Sequence, residues 1–288
     1  MNATIFDDRA CELGEGPLWH PERGQLFWFD ILAGKLLSRA DDQPLEWQFD
    51  ELVSAAGWID RDRLLIASET ALFTFDLETG AREDVAALEA DRPGTRSNDG
   101  RADPWGGFWI GTMAKAGARG ERGAIYRYFR GELRQLFAPV AIPNAICFDA
   151  PRECAYFCDT LKGRIMRQKL SPRDGWPKGE PEVFIDLRAE KLNPDGAVVD
   201  AEGRVWTAQW GAARVAVYAP DGRFEGAVAI PARHSSCPAF GGEGLSTLFC
   251  TSARQDLDAA ILAAEPQNGM TFALEGAGRG LPEFKVTP

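Results

Sequence analysis

The sequence repeats a short strand–turn–strand signature six times, and this repetition constrains the fold more than any other feature. In the clearest copy, residues 193–208, two valine-containing strands flank a polar turn that begins at Asp200. The copies open at positions 15, 55, 98, 144, 195 and 238, which are 40 to 51 residues apart. A period of roughly 40–50 residues is typical of one four-stranded propeller blade. The sequence therefore predicts an all-β fold, a six-bladed β-propeller.

One propeller accounts for nearly the whole chain, so we expect a single domain over residues 1–288. Residues 1–8 are predicted to form a strand that closes the ring. The outer strands of the last blade are predicted at 269–274 and 282–286, and the one short helix at 256–262.

The start of each innermost strand of a propeller faces the central channel, so six points far apart in sequence should form one ring. The predicted ring contains Glu15, Ala55, Asn98, Asn144, Asp195 and Pro238. Glu15, Asn144 and Asp195 carry oxygen donors, and oxygen donors that converge on one point suit a divalent cation. The alternative is that Asp195 and Asn98 are turn residues and Glu15 is a loop charge. Their equivalent blade positions favour the ligand interpretation.

Composition argues against several classes of partner. The chain has 43 acidic and 32 basic residues, a formal net charge of -11 and no basic stripe, which argues against nucleic-acid binding. No window approaches about 18 consecutive apolar residues, so no membrane span is predicted. The first eight residues lack the basic and apolar segments of a signal peptide. We expect a cytoplasmic protein that is a monomer or a weak homo-oligomer.

The cysteines do not form a convincing metal-binding or disulfide pattern. Most of them fall within predicted strands, and none belongs to a Cys-x-x-Cys pair; they are Cys11, Cys147, Cys154, Cys158, Cys237 and Cys250. A zinc set of Cys147, Cys154 and Cys158 is the alternative, but its spacing matches no zinc pattern well. We expect reduced, buried thiols.

Seven short motifs occur along the chain, and their order and spacing together are specific to one family. They are Leu13-Gly14-Glu15-Gly16-Pro17-Leu18-Trp19, Arg96-Ser97-Asn98-Asp99-Gly100, Gly111-Thr112-Met113, Pro143-Asn144-Ala145, Pro194-Asp195-Gly196, Cys237-Pro238-Ala239-Phe240-Gly241-Gly242 and Thr251-Ser252-Ala253-Arg254. On these motifs the chain resembles the regucalcin/gluconolactonase (senescence-marker-protein) family over essentially its full length. The resemblance implies a six-bladed propeller with one divalent metal in the channel, and hydrolysis of sugar lactones.

The resemblance also implies roles for five residues. In that family the glutamate of Gly-Glu-Gly-Pro, the asparagine of the fourth blade and the aspartate of Pro-Asp-Gly hold the metal. These map onto Glu15, Asn144 and Asp195, the three oxygen donors of the predicted ring. The family's Arg-x-Asn-Asp-Gly motif binds substrate, which maps onto Arg96 and Asn98.

The chain departs from the family at two places near these motifs. Some relatives carry an acidic residue shortly after Gly-Thr-Met that contacts substrate, whereas Lys115 and Ala116 stand here. Many relatives have Asn-Gly in the fourth blade, where this chain has Ala145 after the asparagine. The loop 114–122, rich in Gly, Ala and charge, is predicted to lie over one mouth of the channel.

The predicted reaction is hydrolysis of a sugar (aldono-)lactone to the aldonic acid. A metal, one of Ca, Zn, Mn, Mg or Fe(II), would polarise the lactone carbonyl and activate water. Asp195 is the candidate general base. Arg96 offers five donors, and Asn98 can donate and accept, as sugar hydroxyls require. The alternatives are a non-catalytic calcium-binding regulatory propeller and a promiscuous esterase or organophosphatase that uses the same metal.

Four further side chains have competing interpretations. Arg96 could instead be a surface ion-pair partner. His20 precedes a proline in a turn and is interpreted as structural. His234 could line the channel mouth, and Trp210 could flank the pocket.

Overall fold

Six four-stranded antiparallel sheets follow one another along the chain in the computed structural model, which describes residues 2–40, 42–118 and 122–288. Each sheet is one blade, and its strands are named here from the innermost outward. The predicted all-β, six-bladed propeller is confirmed. That residues 1–288 form a single domain stays a prediction.

The strand bounds show the same blade plan six times. Blade one contains β2 (Gly14–His20), β3 (Gln25–Asp30), β4 (Lys35–Ala40) and β5 (Gln43–Gln48), and blade two contains β6 (Val53–Trp58), β7 (Arg63–Ser68), β8 (Ala71–Asp76) and β9 (Arg82–Ala87). Blade three contains β10 (Thr95–Ala102), β11 (Phe108–Ala114), β12 (Gly123–Phe129) and β13 (Glu132–Val140), and blade four contains β14 (Pro143–Asp149), β15 (Cys154–Asp159), β16 (Arg164–Lys169) and β17 (Glu182–Asp186). Blade five contains β18 (Asn193–Val199), β19 (Val205–Trp210), β20 (Arg214–Tyr218) and β21 (Phe224–Ala229), and blade six contains β22 (His234–Gly241), β23 (Thr247–Ala253), β24 (Thr271–Glu275) and β1 (Thr4–Asp7).

Burial decreases from the inner to the outer strands of a blade. The second strand of blade one, β3, has the sequence QLFWFD and is buried at every position, because neighbouring blades cover both of its faces. The outermost strand β5 has only exposed and half-buried positions. A strand covered on both faces is expected to be a continuous apolar run, whereas an edge strand mixes polar and apolar residues.

The N-terminal strand closes the ring. Strand β1 pairs with β24, so the predicted closing strand within residues 1–8 is found. The predicted outer strand at 282–286 is wrong, because β1 already occupies the open edge of β24. The chain there crosses instead to the ends of inner strands that lie away from Glu15. Trp58 Nε1 donates to the Glu283 carbonyl at 2.9 Å, and the Arg101 guanidinium pairs with the Glu283 carboxylate.

One α-helix occurs among the described residues, α1 (Ala259–Ala264). It begins three residues after the predicted start because Asp258 is its N-cap, accepting a hydrogen bond from Ile261 N at 2.8 Å.

All six cysteines are buried and none forms a disulfide. In the described part of the chain, no helix has both the length and the apolar character that crossing a bilayer requires.

The recurring turn aspartate is explained by backbone hydrogen bonds. In blades two to five its carboxylate accepts from backbone N–H groups two to four residues later; these residues are Asp60, Asp103, Asp149 and Asp200. In blade one His20 takes the same place and accepts from Arg23 N at 3.3 Å. Its other ring nitrogen contacts the Asp60 carbonyl at 3.0 Å, so His20 has a structural role.

Every innermost strand carries a β-bulge at the same level of the channel. The residues left unpaired in the ladder are Gly16-Pro17, Ser54, Asn98-Asp99, Ala145-Ile146, Asp195-Gly196 and Ser236-Cys237. The predicted ring assumed equivalent positions in all six blades, and this is wrong: Glu15 and Asn144 directly precede their bulges, Asn98 and Asp195 lie within theirs, and Ala55 and Pro238 follow theirs. Each bulge inserts one extra residue, which shifts the side chains that follow it relative to the channel.

We predict that Asp103→Ala lowers the free energy of unfolding by about 3–5 kcal/mol, because it leaves the fully buried Arg127 guanidinium without its 2.6 Å carboxylate partner. The matched control is Asp60→Ala, which removes the same turn acceptor but an exposed partner, Arg63. It should cost about 1 kcal/mol or less from the ion pair. Urea unfolding of both variants measures the difference, and equal losses would contradict this account.

Candidate functional site

A cavity of about 160 Å³ lies at the end of the channel where the innermost strands begin. All five predicted site residues line it: Glu15, Arg96, Asn98, Asn144 and Asp195. They belong to the innermost strands of blades one, three, four and five. Each is at most 6% exposed, so the site is a buried polar cluster with an opening to solvent.

The bulges aim these side chains into the cavity. Gly16, the residue after Glu15, has φ 55°, and a Cβ there would collide with the Ser54 carbonyl oxygen of the next blade. Glycine takes this left-handed conformation without steric cost. The Gly16 N–H donates to Glu15 Oε2 at 3.1 Å, which helps to orient the carboxylate.

Two carboxylates in the cavity have no cation partner close by. Glu15 and Asp195 form no ion pair within 4.0 Å in the described ranges, although both are buried. Burial raises the pKa of Glu15 to about 8, and the negative charge of Asp99 adds to the effect. Burial also raises the pKa of Asp195 well above its ordinary value, with further contributions from Glu15 and Asp99. The cavity therefore concentrates negative charge in a poorly solvated place.

Arg96 is the cation that lines the cavity. Burial lowers its pKa to about 10, and the charges of Glu15, Glu69 and Asp195 oppose that decrease. Its Nη1 donates to the Ser97 carbonyl and to Asn98 Oδ1, both at 2.8 Å. No described carboxylate lies within ion-pair distance of it, which argues against the surface ion-pair interpretation. Its other N–H groups make no hydrogen bond to described residues and are available to a ligand.

A chain of hydrogen bonds joins three blades across the site. Asn98 Nδ2 donates to Asn144 Oδ1 at 3.0 Å, and Asn144 Nδ2 donates to Thr160 Oγ1 at 2.9 Å. Thr160 Oγ1 in turn donates to the Pro194 carbonyl at 2.8 Å, next to Asp195. The Asn144 amide is held with Oδ1 accepting from Asn98 and Nδ2 donating to Thr160, so the second lone pair of Oδ1 remains for a ligand.

The same hydrogen bonds limit what Asn98 can offer. Its two amide hydrogens go to the Pro143 carbonyl and to Asn144 Oδ1. The remaining capacity is one lone pair on Oδ1, which already accepts from Arg96. Asn98 can therefore accept a hydrogen bond from a ligand hydroxyl. The expectation that it also donates to the ligand is not met, because both amide hydrogens are already used.

Sequence reasoning missed several lining residues, including Thr160, Gln255 and Asp256. A threonine after a second strand gives no signal by itself, because its importance comes from partners in blades four and five. Trp210 does line the cavity, whereas His234 lies behind it and stacks on its ring.

Two other expectations concern the surroundings of the cavity. Residues 119–121 of the predicted mouth loop 114–122 lie outside the described residues, so its placement over the channel is not described. Lys115, where relatives were expected to differ, pairs its ammonium with the Glu69 carboxylate of blade two.

No group of three or more His, Cys, Asp and Glu side chains suited to a metal occurs in the described ranges. The predicted ligand set has two such carboxylates and an amide.

Comparison with known proteins identifies the family. The family model described as SMP-30/Gluconolactonase/LRE-like region matches residues 13–254. An L-arabinolactonase from Azospirillum brasilense is 38% identical, covering 99% of this chain and 96% of the relative. A pentonolactonase from Haloferax volcanii is 33% identical, covering 99% and 98%. The crystal structure of a calcium-binding protein, regucalcin, from Agrobacterium tumefaciens is 40% identical, with a TM-score of 0.95 and coverage of 99% and 97%.

The chain belongs to the SMP-30/gluconolactonase/LRE-like family. The resemblance noted in the sequence is thereby confirmed. The predicted enzyme class is confirmed as well, because the lactonases among its relatives are hydrolases of carboxylic ester bonds.

We predict that Thr160→Val lowers the free energy of unfolding by about 1–3 kcal/mol, because the Asn144 amide and the Pro194 carbonyl lose their partner. Thr160→Ser keeps the hydroxyl and should stay close to the wild type. Thr74→Val is the control, since that hydroxyl makes only a 3.5 Å contact at the surface. Denaturant unfolding compares the three variants. A Thr160→Val protein as stable as Thr74→Val would refute a structural role for the hydrogen-bond chain.

Proposed function

We propose that this protein hydrolyses a sugar lactone to the corresponding aldonic acid, with one divalent cation held by Glu15, Asn144 and Asp195. The observation that carries the proposal is the meeting of these three oxygen donors in one buried cavity, beside the uncommitted donors of Arg96. The arabinolactonase and pentonolactonase relatives support a sugar lactone as the substrate class.

The donor set is chemically suited to a divalent cation. Two carboxylates and one amide oxygen are hard ligands, and three protein ligands leave positions open for water and substrate. Buried carboxylates that repel each other need a compensating positive charge, and Arg96 supplies only one. Such a site admits Ca, Mg, Mn, Fe(II) or Zn, and the calcium-binding regucalcin neighbour favours testing calcium first.

Hydrolysis adds water across the ring ester. The water oxygen bonds to the lactone carbonyl carbon, the bond from that carbon to the ring oxygen breaks, and the ring oxygen gains a proton to become a hydroxyl. When bound, the cation would polarise the carbonyl and lower the pKa of the attacking water. The Asp195 carboxylate, which lines the cavity, would receive the proton of that water and return one to the ring oxygen.

Arg96 and Asn98 would bind the polyol part of the substrate. The free N–H groups of Arg96 donate to hydroxyl or carboxylate oxygens, and Asn98 Oδ1 accepts from one hydroxyl. The apolar side chains of Leu13, Met113 and Ile142 line the same cavity and limit access of bulk water.

Two alternatives make different predictions. A non-catalytic calcium-binding propeller would bind the cation with the same residues but would turn over no lactone. A promiscuous esterase or organophosphatase would accept aryl esters or phosphotriesters as readily as lactones. The polar donors of Arg96 and Asn98 favour a polyol.

We predict that Asp195→Asn and Glu15→Gln each reduce kcat/KM for sugar lactones by at least about 10³-fold, or about 4 kcal/mol, because each removes a charged cation ligand. Chelator should abolish wild-type activity, and added metal should restore it. Acid release measured by pH-stat, with metal content measured on the same samples, gives both quantities.

The matched control is Asp149→Asn, a buried carboxylate at the other end of the inner strand β14 that carries Asn144. It should keep metal content and turnover. Full metal content together with full turnover in Asp195→Asn would contradict the ligand assignment. Metal binding without turnover of any lactone in the wild type would favour the calcium-binding alternative.

A second prediction concerns Arg96. Arg96→Ala should lower kcat/KM by roughly 10–1000-fold, on the order of 1.4–4 kcal/mol, while metal affinity changes little because arginine does not ligate cations. Steady-state kinetics, metal titration and thermal unfolding on the one variant test this. A variant with normal kcat/KM and reduced thermal stability would assign Arg96 a structural role instead.

A further inference from the structure

We propose that Trp210 and Asp256 determine substrate specificity: the indole of Trp210 packs against the apolar face of the substrate ring, and the Asp256 carboxylate accepts hydrogen bonds from its hydroxyls. The inference rests on the proposed function, since it takes the ring to be that of a sugar lactone. It concerns a wall of the cavity that the oxygen donors and Arg96 do not form.

One face of the Trp210 indole is already covered. The imidazole of His234 stacks on it, with ring centroids 4.1 Å apart and an interplanar angle of 20°. Trp210 is half-buried and lines the cavity. The indole surface that the cavity meets therefore belongs to its opposite face or its edge, so the cavity has an aromatic wall that is supported from behind.

His234 also ties this aromatic wall to the turn that follows β23. Its Nδ1 lies 3.0 Å from the Gln255 carbonyl oxygen, which can only accept, so Nδ1 carries the hydrogen. The Gln255 N–H donates to the Glu12 carbonyl at 2.9 Å, and Leu257 N donates to the Arg254 carbonyl at 3.1 Å. The turn is thus held from two sides.

The turn presents Asp256 at the rim of the cavity in an unusual conformation. Asp256 has φ 62°, in the left-handed region, yet it is not glycine. Aspartate tolerates this region better than most residues, and such conformations persist where the surroundings hold them. Its side chain is exposed and lines the opening of the cavity. An ionised carboxylate there only accepts hydrogen bonds, which complements the donors of Arg96.

Trp210, Asp256 and Arg96 together suit one chemical class of ligand. The ring of a sugar lactone has a face of C–H bonds and a rim of hydroxyls. An aromatic face packs on C–H groups, Arg96 donates to oxygens, and Asp256 accepts from hydroxyls. A cyclic polyol meets all three requirements, whereas a lactone without hydroxyls has no donor for the Asp256 carboxylate.

Kinetics of three tryptophan variants test the aromatic wall. For a sugar lactone, KM of Trp210→Ala should rise roughly 10-fold with a smaller change in kcat, and Trp210→Phe should stay within roughly 3-fold of the wild type. The matched control is Trp47→Ala, because Trp47 is partly buried against the same core cluster but lies on the outer strand β5. It should lose thermal stability and keep its KM.

A pair of substrates tests Asp256. Asp256→Asn should raise KM for L-arabinono-lactone roughly 3–10-fold, since it removes a charged acceptor. KM for δ-valerolactone, which carries no hydroxyl, should stay unchanged. Equal effects on both lactones, or on neither, would overturn the role of Asp256.

Binding of a polyol without a carbonyl separates this inference from the proposed function. Calorimetric titration uses 1,5-anhydroglucitol with the metal-loaded wild type and the Trp210→Ala variant. If the wild type binds the polyol, Trp210→Ala weakens binding and no lactone is hydrolysed, the aromatic wall stands and the proposed function fails. If lactones are hydrolysed and Trp210→Ala has the same KM as Trp47→Ala, the proposed function stands and the aromatic wall is overturned.

Discussion

A β-bulge interrupts all six innermost strands at one level of the channel, and the geometry of the cavity depends on it. In a regular strand, alternate side chains point to opposite faces, and the neighbouring blades of a propeller would cover both sets. The bulge leaves one or two residues out of the ladder and turns side chains toward the axis. Asp195 lies within its bulge, Glu15 and Asn144 directly precede theirs, and all three side chains line one cavity. The second strands, buried on both faces, hold the irregular backbone in place.

Buried carboxylates in the cavity differ from those elsewhere in the propeller in whether a cation lies beside them. At the turns, Asp103, Asp149 and Asp200 each have an arginine within 2.8 Å. In the cavity, Glu15 and Asp195 have no such partner in the described ranges. A buried charge without a partner costs stability unless a ligand compensates it. A divalent cation bound by Glu15 and Asp195 would supply that compensation.

Much of this could be predicted from the sequence, because four of the six blades repeat the same aspartate turn. The turn aspartates at positions such as Asp103 accept local backbone hydrogen bonds, so their spacing in the sequence predicts where successive blades lie. The channel positions of blades two and six were misplaced, because Ala55 and Pro238 follow the one-residue insertion of their bulges, which the sequence pattern does not reveal. The roles of Thr160 and the segment 282–286 depend on partners distant in sequence, which no local pattern reports.

The central claim is that the three bulged strands hold one cation with their oxygen donors. Anomalous diffraction from crystals of the protein loaded with Mn²⁺ tests it most directly. We expect one strong peak in the cavity, within about 2.0–2.6 Å of oxygen atoms of Glu15, Asn144 and Asp195. A strong peak elsewhere on the protein with none in the cavity, in crystals that hydrolyse lactone, would contradict the account.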